Sequence, residues 1–254
     1  MQLNYKKLGE GQPIIILHGL FGSLDNWMTF GKKWSENYQV YLVDQRNHGQ
    51  SPHQAPFDYP TMANDLAKFM KEERIINPLL IGHSMGGKTV MEYAVNHPAT
   101  IKKAIVVDIA PVAYEVHHYA VLEALNAVSL EKISSRGEAD RILSDYLKEV
   151  GVRQFLLKNL YWKEKGKLAW RFNLSLIENE IVTISKFDIS PKQYKGSILF
   201  IKGENSPYIL AEHAAAIHEK FPNYQLEVIP NTGHWVHAEA PQLFFDVCTA
   251  FMKD

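Results

Sequence analysis

Two residues in this chain have the surroundings that nucleophilic catalysis needs. Ser84 is centred in Gly82-His83-Ser84-Met85-Gly86, and His234 follows Gly233 in Asn231-Thr232-Gly233-His234-Trp235. A serine hydroxyl attacks a carbonyl only when a neighbouring base takes its proton, and histidine is the side chain suited to that at neutral pH. Gly-x-Ser-x-Gly has a mechanical reason. A serine placed between a strand and a helix turns so tightly that its backbone is strained, and small neighbours at Gly82 and Gly86 leave room for the turn. The start of the following helix turns its amides and positive dipole end towards the serine, which favours negative charge there.

The flanks fit that reading. Asn77-Pro78-Leu79-Leu80-Ile81 reads as a turn signal followed by a buried strand, and Lys88 to Asn96 as a helix that ends before Pro98. Upstream, Ile14-Ile15-Ile16-Leu17 is a continuous apolar run, the signature of a strand covered on both faces of a parallel sheet. It runs into the glycine-rich loop His18-Gly19-Leu20-Phe21-Gly22-Ser23 at the carboxyl edge of the sheet, where open α/β folds bind ligands. The amides of Leu20 and Met85 are the pair expected to face a developing oxyanion. His18 is expected to brace the loop, and Trp27, Phe30 and Trp34 to pack.

Gln39 to Val43 is the next strand, followed by Asp44-Gln45-Arg46-Asn47-His48-Gly49, in which Asp44 and Arg46 are expected to pair. Thr61 is expected to cap a helix whose apolar face carries Met62, Leu66, Phe69 and Met70. Ala104 to Val107 is a further buried strand ending at Asp108. The pattern then changes. His117 to Leu130, Glu138 to Val150 and Phe172 to Thr183 read as amphipathic helices without buried strands between them, an all-helical insertion best read as a cap over the site. Strand and helix alternation resumes at Ser197–Ile201 and Leu226–Ile229 and closes with a helix from Pro241. The expected organisation is an α/β core over 1–111 and 192–254, with a helical cap over 112–191.

Composition narrows the classes. At 254 residues, with 46% apolar and 22% charged residues, the chain can form one soluble α/β domain with a substantial core. The formal net charge of −1 gives no reason to expect nucleic acid or an anionic membrane as partner. Cys248 is the single cysteine, so no internal disulfide can form; it lies among Leu243, Phe244, Val247 and Phe251 at helical spacing and reads as a buried thiol. No apolar run is long enough to span a bilayer, and the expected location is the cytoplasm. His237 reads as packing, as do the other histidines. Basic residues from Arg136 to Arg171 are interleaved through the cap and read as a solvated face, with a phosphate-bearing acyl carrier as the alternative.

Taken in order, His18-Gly19-Leu20-Phe21-Gly22, Asp44-Gln45-Arg46-Asn47-His48-Gly49, Gly82-His83-Ser84-Met85-Gly86-Gly87 and Gly233-His234-Trp235 resemble the α/β-hydrolase superfamily, and most closely its bacterial YbfF-type esterases. The resemblance covers nearly the whole chain. It implies a mainly parallel eight-stranded sheet, a helical cap, no cofactor or metal, and hydrolysis of a small-molecule ester or thioester through an acyl-serine by a monomer or small homo-oligomer. Many members carry the triad acid in a Gly-x-x-Asp turn, which here is Gly203-Glu204-Asn205-Ser206. Asp108 is the best replacement, because it follows the nucleophile and precedes the histidine in the chain, and the YbfF-type esterases use an aspartate at this place. Glu204 is the alternative acid. Ser206 is expected either to hydrogen-bond Asp108 or His234 as a fourth member or to be a turn residue before Pro207. The expected set is therefore Ser84, His234, Asp108 and Ser206, with Leu20 and Met85 as the oxyanion hole. A ligand-binding sensor and a cofactor-free perhydrolase are the rival readings of the same residues.

Overall fold

The computed structural model describes residues 1–253. Ile14, Ile15, Ile16 and Leu17 are each at most 1% exposed, as a strand covered on both faces requires. Nine strands form among the described residues: β1 (Tyr5–Leu8), β2 (Gln12–Leu17), β3 (Tyr38–Val43), β4 (Leu79–His83), β5 (Lys103–Val107), β6 (Leu160–Glu164), β7 (Lys167–Trp170), β8 (Ile198–Gly203) and β9 (Tyr224–Ile229). Seven of them make one sheet in the order β1-β3-β2-β4-β5-β8-β9, and only β1 runs antiparallel to its neighbour.

Among the described residues ten α-helices accompany the strands: α1 (Met28–Trp34), α2 (Tyr59–Glu72), α3 (Met85–Asn96), α4 (Tyr119–Ala127), α5 (Arg136–Tyr146), α6 (Val150–Leu157), α7 (Leu174–Ser185), α8 (Ala214–Lys220), α9 (Val236–Glu239) and α10 (Pro241–Lys253). Alternation along β2 divides the core. Ile15 and Leu17 pack with Met62, Leu66 and Val90 on the face of α2 and α3, while Ile14 and Ile16 pack with Trp27, Phe30, Trp34, Phe244 and Cys248 on the face of α1 and α10. Trp27, Trp34 and Cys248 are thus packing residues.

Four expectations need correction. The sheet has seven strands among the described residues, not eight: ahead of β1, Asn4 gives its carbonyl to the Asp44 amide (2.9 Å) and its amide to Ser51 Oγ (2.8 Å), so these groups bond to a loop rather than to a further strand. Thr61 does not cap α2. Asp58 does, accepting from the Thr61 amide at 2.7 Å, with Pro60 in the first turn. The helix after the nucleophile starts at Met85, one turn earlier than the apolar pattern suggests, because Gly86 and Gly87 carry no pattern of their own. Finally, the segment between β5 and β8 is not all helical. It contains α4 to α7 and the β6–β7 hairpin, whose charged residues obscure the strand alternation and whose turn places Gly166 at φ 80°.

Candidate active site

The site forms where β4 turns into α3. Ser84 has φ 52° and ψ −115°, a conformation that costs energy and that the surroundings must hold. They do so from both sides: the Ser84 amide donates to the Val107 carbonyl (3.0 Å) and the Ser84 carbonyl accepts from the Lys88 amide (3.0 Å). A Cβ at Gly82 would collide with the Gly86 carbonyl, and one at Gly86 with the Leu17 carbonyl. Glycine is required at both places for the turn to close.

Asp108 also has a positive φ, 53°, just beyond β5. Its amide donates to the Ile201 carbonyl at 2.7 Å, which ties it to the neighbouring β8. The carboxylate is completely buried and fully engaged: Oδ1 accepts from the Gly203 amide at 2.9 Å, and Oδ2 accepts from His234 Nδ1 at 2.7 Å and from the Ser206 hydroxyl. Since a carboxylate can only accept, His234 carries its proton on Nδ1 and leaves Nε2 free to act as a base. His234 is further held by its carbonyl, which meets His83 Nε2 at 2.9 Å, and by the Tyr208 ring, 4.1 Å away between centroids. Ser84 and His234 border the same cavity, and no hydrogen bond joins their side chains in this structure.

The loop after β2 contains a tight turn closed by the Gly22 amide on the Gly19 carbonyl (3.0 Å), with Phe21 at φ 58°. His18 braces it as expected. Its Nδ1 meets the Gly19 carbonyl (2.8 Å) and its Nε2 accepts from the Gln45 amide (3.0 Å), while burial lowers its pKa to about 4 and keeps the ring neutral. His48 plays a similar part by accepting from the Phe21 amide at 3.1 Å. The amides of Leu20 and Met85 have no acceptor among the loop and cap hydrogen bonds of the described residues.

Above Ser84 lies a cavity of about 320 Å³ walled by Phe21, Val121, Leu147, Val152, Phe155, Leu156 and Trp235. A second, smaller recess of about 30 Å³ also reaches Ser84; it shares Leu20, His117, His118 and Tyr208 with the large cavity and is bordered in addition by Tyr59, Met85, Lys88 and Tyr114. None of the basic residues noted between Arg136 and Arg171 borders either space. Several serve the inserted segment itself: Arg153 pairs with Asp140 at 2.9 Å, Arg136 donates to the Leu160 carbonyl, and Arg171 lies over the Tyr161 ring.

Other residues singled out from the sequence lie elsewhere. Asp44 and Arg46 do not pair. Asp44 accepts from the Leu24 and Gln50 amides and from Asn4 Nδ2, and Arg46 turns to buried Asp65 at 2.6 Å. Glu204 accepts from the Asn231 amide at 2.8 Å and makes no hydrogen bond with His234. His237 stacks on Trp27 at 4.5 Å. Of the aromatic residues of the insertion, Phe155 and Tyr114 border the two spaces, Trp170 stacks on Phe172, and Tyr119 and Trp162 are exposed. The reading from sequence missed Lys88, His118 and Tyr208 as wall residues. The signal for Lys88 was its spacing, four residues after Ser84 and so on the same helix face. Nothing local marks the other two. Among the described residues no group of three or more His, Cys, Asp or Glu could hold a metal ion, and no helix is long and apolar enough to cross a membrane.

A parallel sheet with a strained serine at a strand-to-helix turn, and a histidine and buried aspartate gathered beside it, defines an α/β-hydrolase. The family described as alpha/beta hydrolase fold matches residues 12–241, and the chain belongs to it. Its relatives include the mouse (Mus musculus) sn-1-specific diacylglycerol lipase ABHD11, 39% identical over 94% of this chain and 80% of that protein. Esterase YbfF of Escherichia coli K12 is 37% identical over 96% of this chain and 94% of its own length. A solved structure titled marine microorganism esterase superposes with a TM-score of 0.96 at 41% identity, covering 98% of this chain and 99% of that one.

Proposed function

We propose that this α/β-hydrolase cleaves small-molecule esters by forming and then hydrolysing an acyl-serine at Ser84. At the level of class the chain is a carboxylic ester hydrolase, in keeping with relatives named esterase and lipase. The observation that carries the finer reading is the contact of His234 Nδ1 with buried Asp108 (2.7 Å), on a histidine that shares a cavity wall with Ser84. His234 Nε2 takes the hydroxyl proton as Ser84 attacks the carbonyl carbon, and returns it to the leaving group when the tetrahedral intermediate collapses. Asp108 holds the ring in the required tautomer and stabilises the imidazolium, and Ser206 holds Asp108. The free amides of Leu20 and Met85 stabilise the oxyanion, each contributing on the order of 3 kcal/mol. A water then repeats the sequence on the acyl-enzyme.

In this reading the insertion over 112–191 is the cap, since it supplies Val121, Leu147, Val152, Phe155 and Leu156 to the cavity wall. That wall is mostly apolar, with His117, His118 and Glu149 as its polar members, and suits a hydrocarbon portion of the substrate. Rapid mixing of the enzyme with an activated aryl ester tests the proposal. A burst of one phenolate per enzyme is expected, absent in Ser84→Ala; a burst that survives the substitution overturns it.

A further inference from the structure

Asn159 lies in the inserted segment between α6 and β6, and only 1% of it is exposed. Its Nδ2 donates to the Phe21 carbonyl at 2.7 Å, across 138 residues of chain, and faces the Leu156 and Phe155 carbonyls at 3.4 and 3.5 Å. Three carbonyls around one atom fix which way the amide points. Oδ1 is therefore turned away from them, and it is buried without a hydrogen-bond partner. A leucine would fill this volume without leaving a polar atom unpaired, so packing does not account for an asparagine here. What the amide adds is the bond to Phe21. The backbone beneath it is fixed as well: the Asn159 amide donates to the Leu156 carbonyl (3.0 Å), and the Asn159 carbonyl accepts from the Arg171 amide (2.9 Å).

Phe21 is gripped from both sides. Its amide donates to His48 Nε2 at 3.1 Å. His48 is completely buried, its Nδ1 donates to the Arg46 carbonyl at 3.0 Å, and burial lowers its pKa to about 3, so the ring is neutral and Nε2 is an acceptor. The core thus holds the peptide before Phe21, and the inserted segment holds the peptide after it. Between them they fix Phe21 at φ 58°, in the left-handed region that a phenylalanine rarely adopts. The Phe21 ring adds a further hold, meeting Phe172 of the inserted segment edge-on at 5.2 Å between centroids. Phe21 is the third residue of the turn closed by the Gly22 amide on the Gly19 carbonyl, where a positive φ sets the turn type. Leu20, the second residue of the same turn, carries the amide assigned to the oxyanion. Released from either side, Phe21 would relax to a negative φ, and the turn that aims Leu20 would change type.

We propose that Asn159 is a positioning residue for ester hydrolysis: by holding the Phe21 carbonyl it keeps the Leu20 amide aimed at the oxyanion, so that this donor is in place only while the inserted segment is seated on the core. The inference rests on the acyl-serine reading for the role of Leu20. It gives the segment over 112–191 a part in stabilising the transition state beyond walling the cavity.

The test uses Asn159→Leu, with Asn159→Ser as a second variant should leucine disturb folding. Active sites are counted by exhaustive labelling of Ser84 with a fluorophosphonate, so that kcat refers to folded enzyme. Per active site, kcat on an aryl ester is expected to fall about ten- to a hundredfold with KM within about threefold of wild type, because the loop is misaimed for the transition state and not for the ground state. A trifluoromethyl ketone reports the same geometry without turnover: Ser84 Oγ bonds to its carbonyl carbon, the hydroxyl proton passes to His234 Nε2, and the carbonyl oxygen becomes the oxyanion. Its inhibition constant is expected to rise in step with the loss of kcat. Lower thermal stability alone, with kcat per active site and inhibition constant unchanged in both variants, overturns the proposal. Hydrogen exchange over residues 18–24, compared between Ser84→Ala and the same protein carrying Asn159→Leu or Asn159→Ser, separates it from the hydrolytic reading. Faster exchange confined to this loop is expected whether or not esters turn over, and equal exchange overturns the proposal. Absence of Ser84-dependent turnover in wild type would count against the acyl-serine reading alone.

Discussion

Asp108 and His234 stand 126 residues apart in the chain and meet at 2.7 Å, Oδ2 against Nδ1. The aspartate is completely buried, fixed through its amide by Ile201 and through its second oxygen by the Gly203 amide. It is thereby presented from the end of β5 to a loop that follows β9. Removing its charge while keeping its shape separates orientation from electrostatics.

Asp108→Asn is expected to lower kcat by about four orders of magnitude, because an amide at this position stabilises the wrong imidazole tautomer. Glu204→Gln is expected to stay within a few-fold of wild type, since Glu204 bonds to the Asn231 amide. Steady-state hydrolysis of one aryl ester by both variants checks this. The opposite ranking would move the acid to Glu204.

Ser206 is 3% exposed and donates its hydroxyl to the same Asp108 oxygen that His234 uses. A hydrogen bond to a charged acceptor contributes about 1.5–3 kcal/mol. Ser206→Ala is therefore expected to lower kcat roughly ten- to a hundredfold and to leave KM nearly unchanged, because the hydroxyl touches Asp108 rather than substrate. A KM effect without a kcat effect would make Ser206 a wall residue of the pocket instead.

Buried histidines set the acid sensitivity of the fold. Burial lowers His18 to about 4 and His48 and His237 to about 3, against about 6.5 in an unfolded chain. Below pH 6.5 the unfolded state thus binds more protons than the folded one, so stability falls as pH drops from 6.5 towards the folded values and is unaffected by these groups above it. His237 is a suitable single site, as its Nδ1 has no hydrogen-bond partner and its ring packs among the rings of Trp27, Phe30, His83 and Phe244. Urea denaturation at pH 7 and pH 5 should show His237→Phe losing about 2 kcal/mol less than wild type between the two. Equal losses would mean that His237 is charged in the folded protein.

Local pattern was enough to read the core of the molecule from its amino-acid order. Strands buried on both faces need unbroken apolar runs, which is why Ile14–Leu17, Leu79–Ile81 and Ala104–Val107 could be located to within two residues. The glycines around Ser84 were equally legible, because steric exclusion at a tight turn acts between near neighbours. His234 was legible from its place at the carboxyl edge of the sheet, and Asp108 from chain order together with family resemblance. Local pattern failed where charged residues outnumbered apolar ones: the β6–β7 hairpin was hidden in Lys163-Glu164-Lys165-Gly166-Lys167.

The polar partnerships between distant segments were set by the packing of the elements and not by local pattern. Whether Ser206 is a turn residue or a partner of Asp108, whether Arg46 turns to Asp44 or to Asp65, and whether Lys88 is solvated or enclosed by Tyr59, Tyr114 and Phe187 depend on which elements the fold brings together. Apolar burial is tolerant of its partner and so leaves a periodic trace along the chain. A hydrogen bond or ion pair needs one particular atom within about 3 Å, and spacing along the chain does not record which distant atom that is.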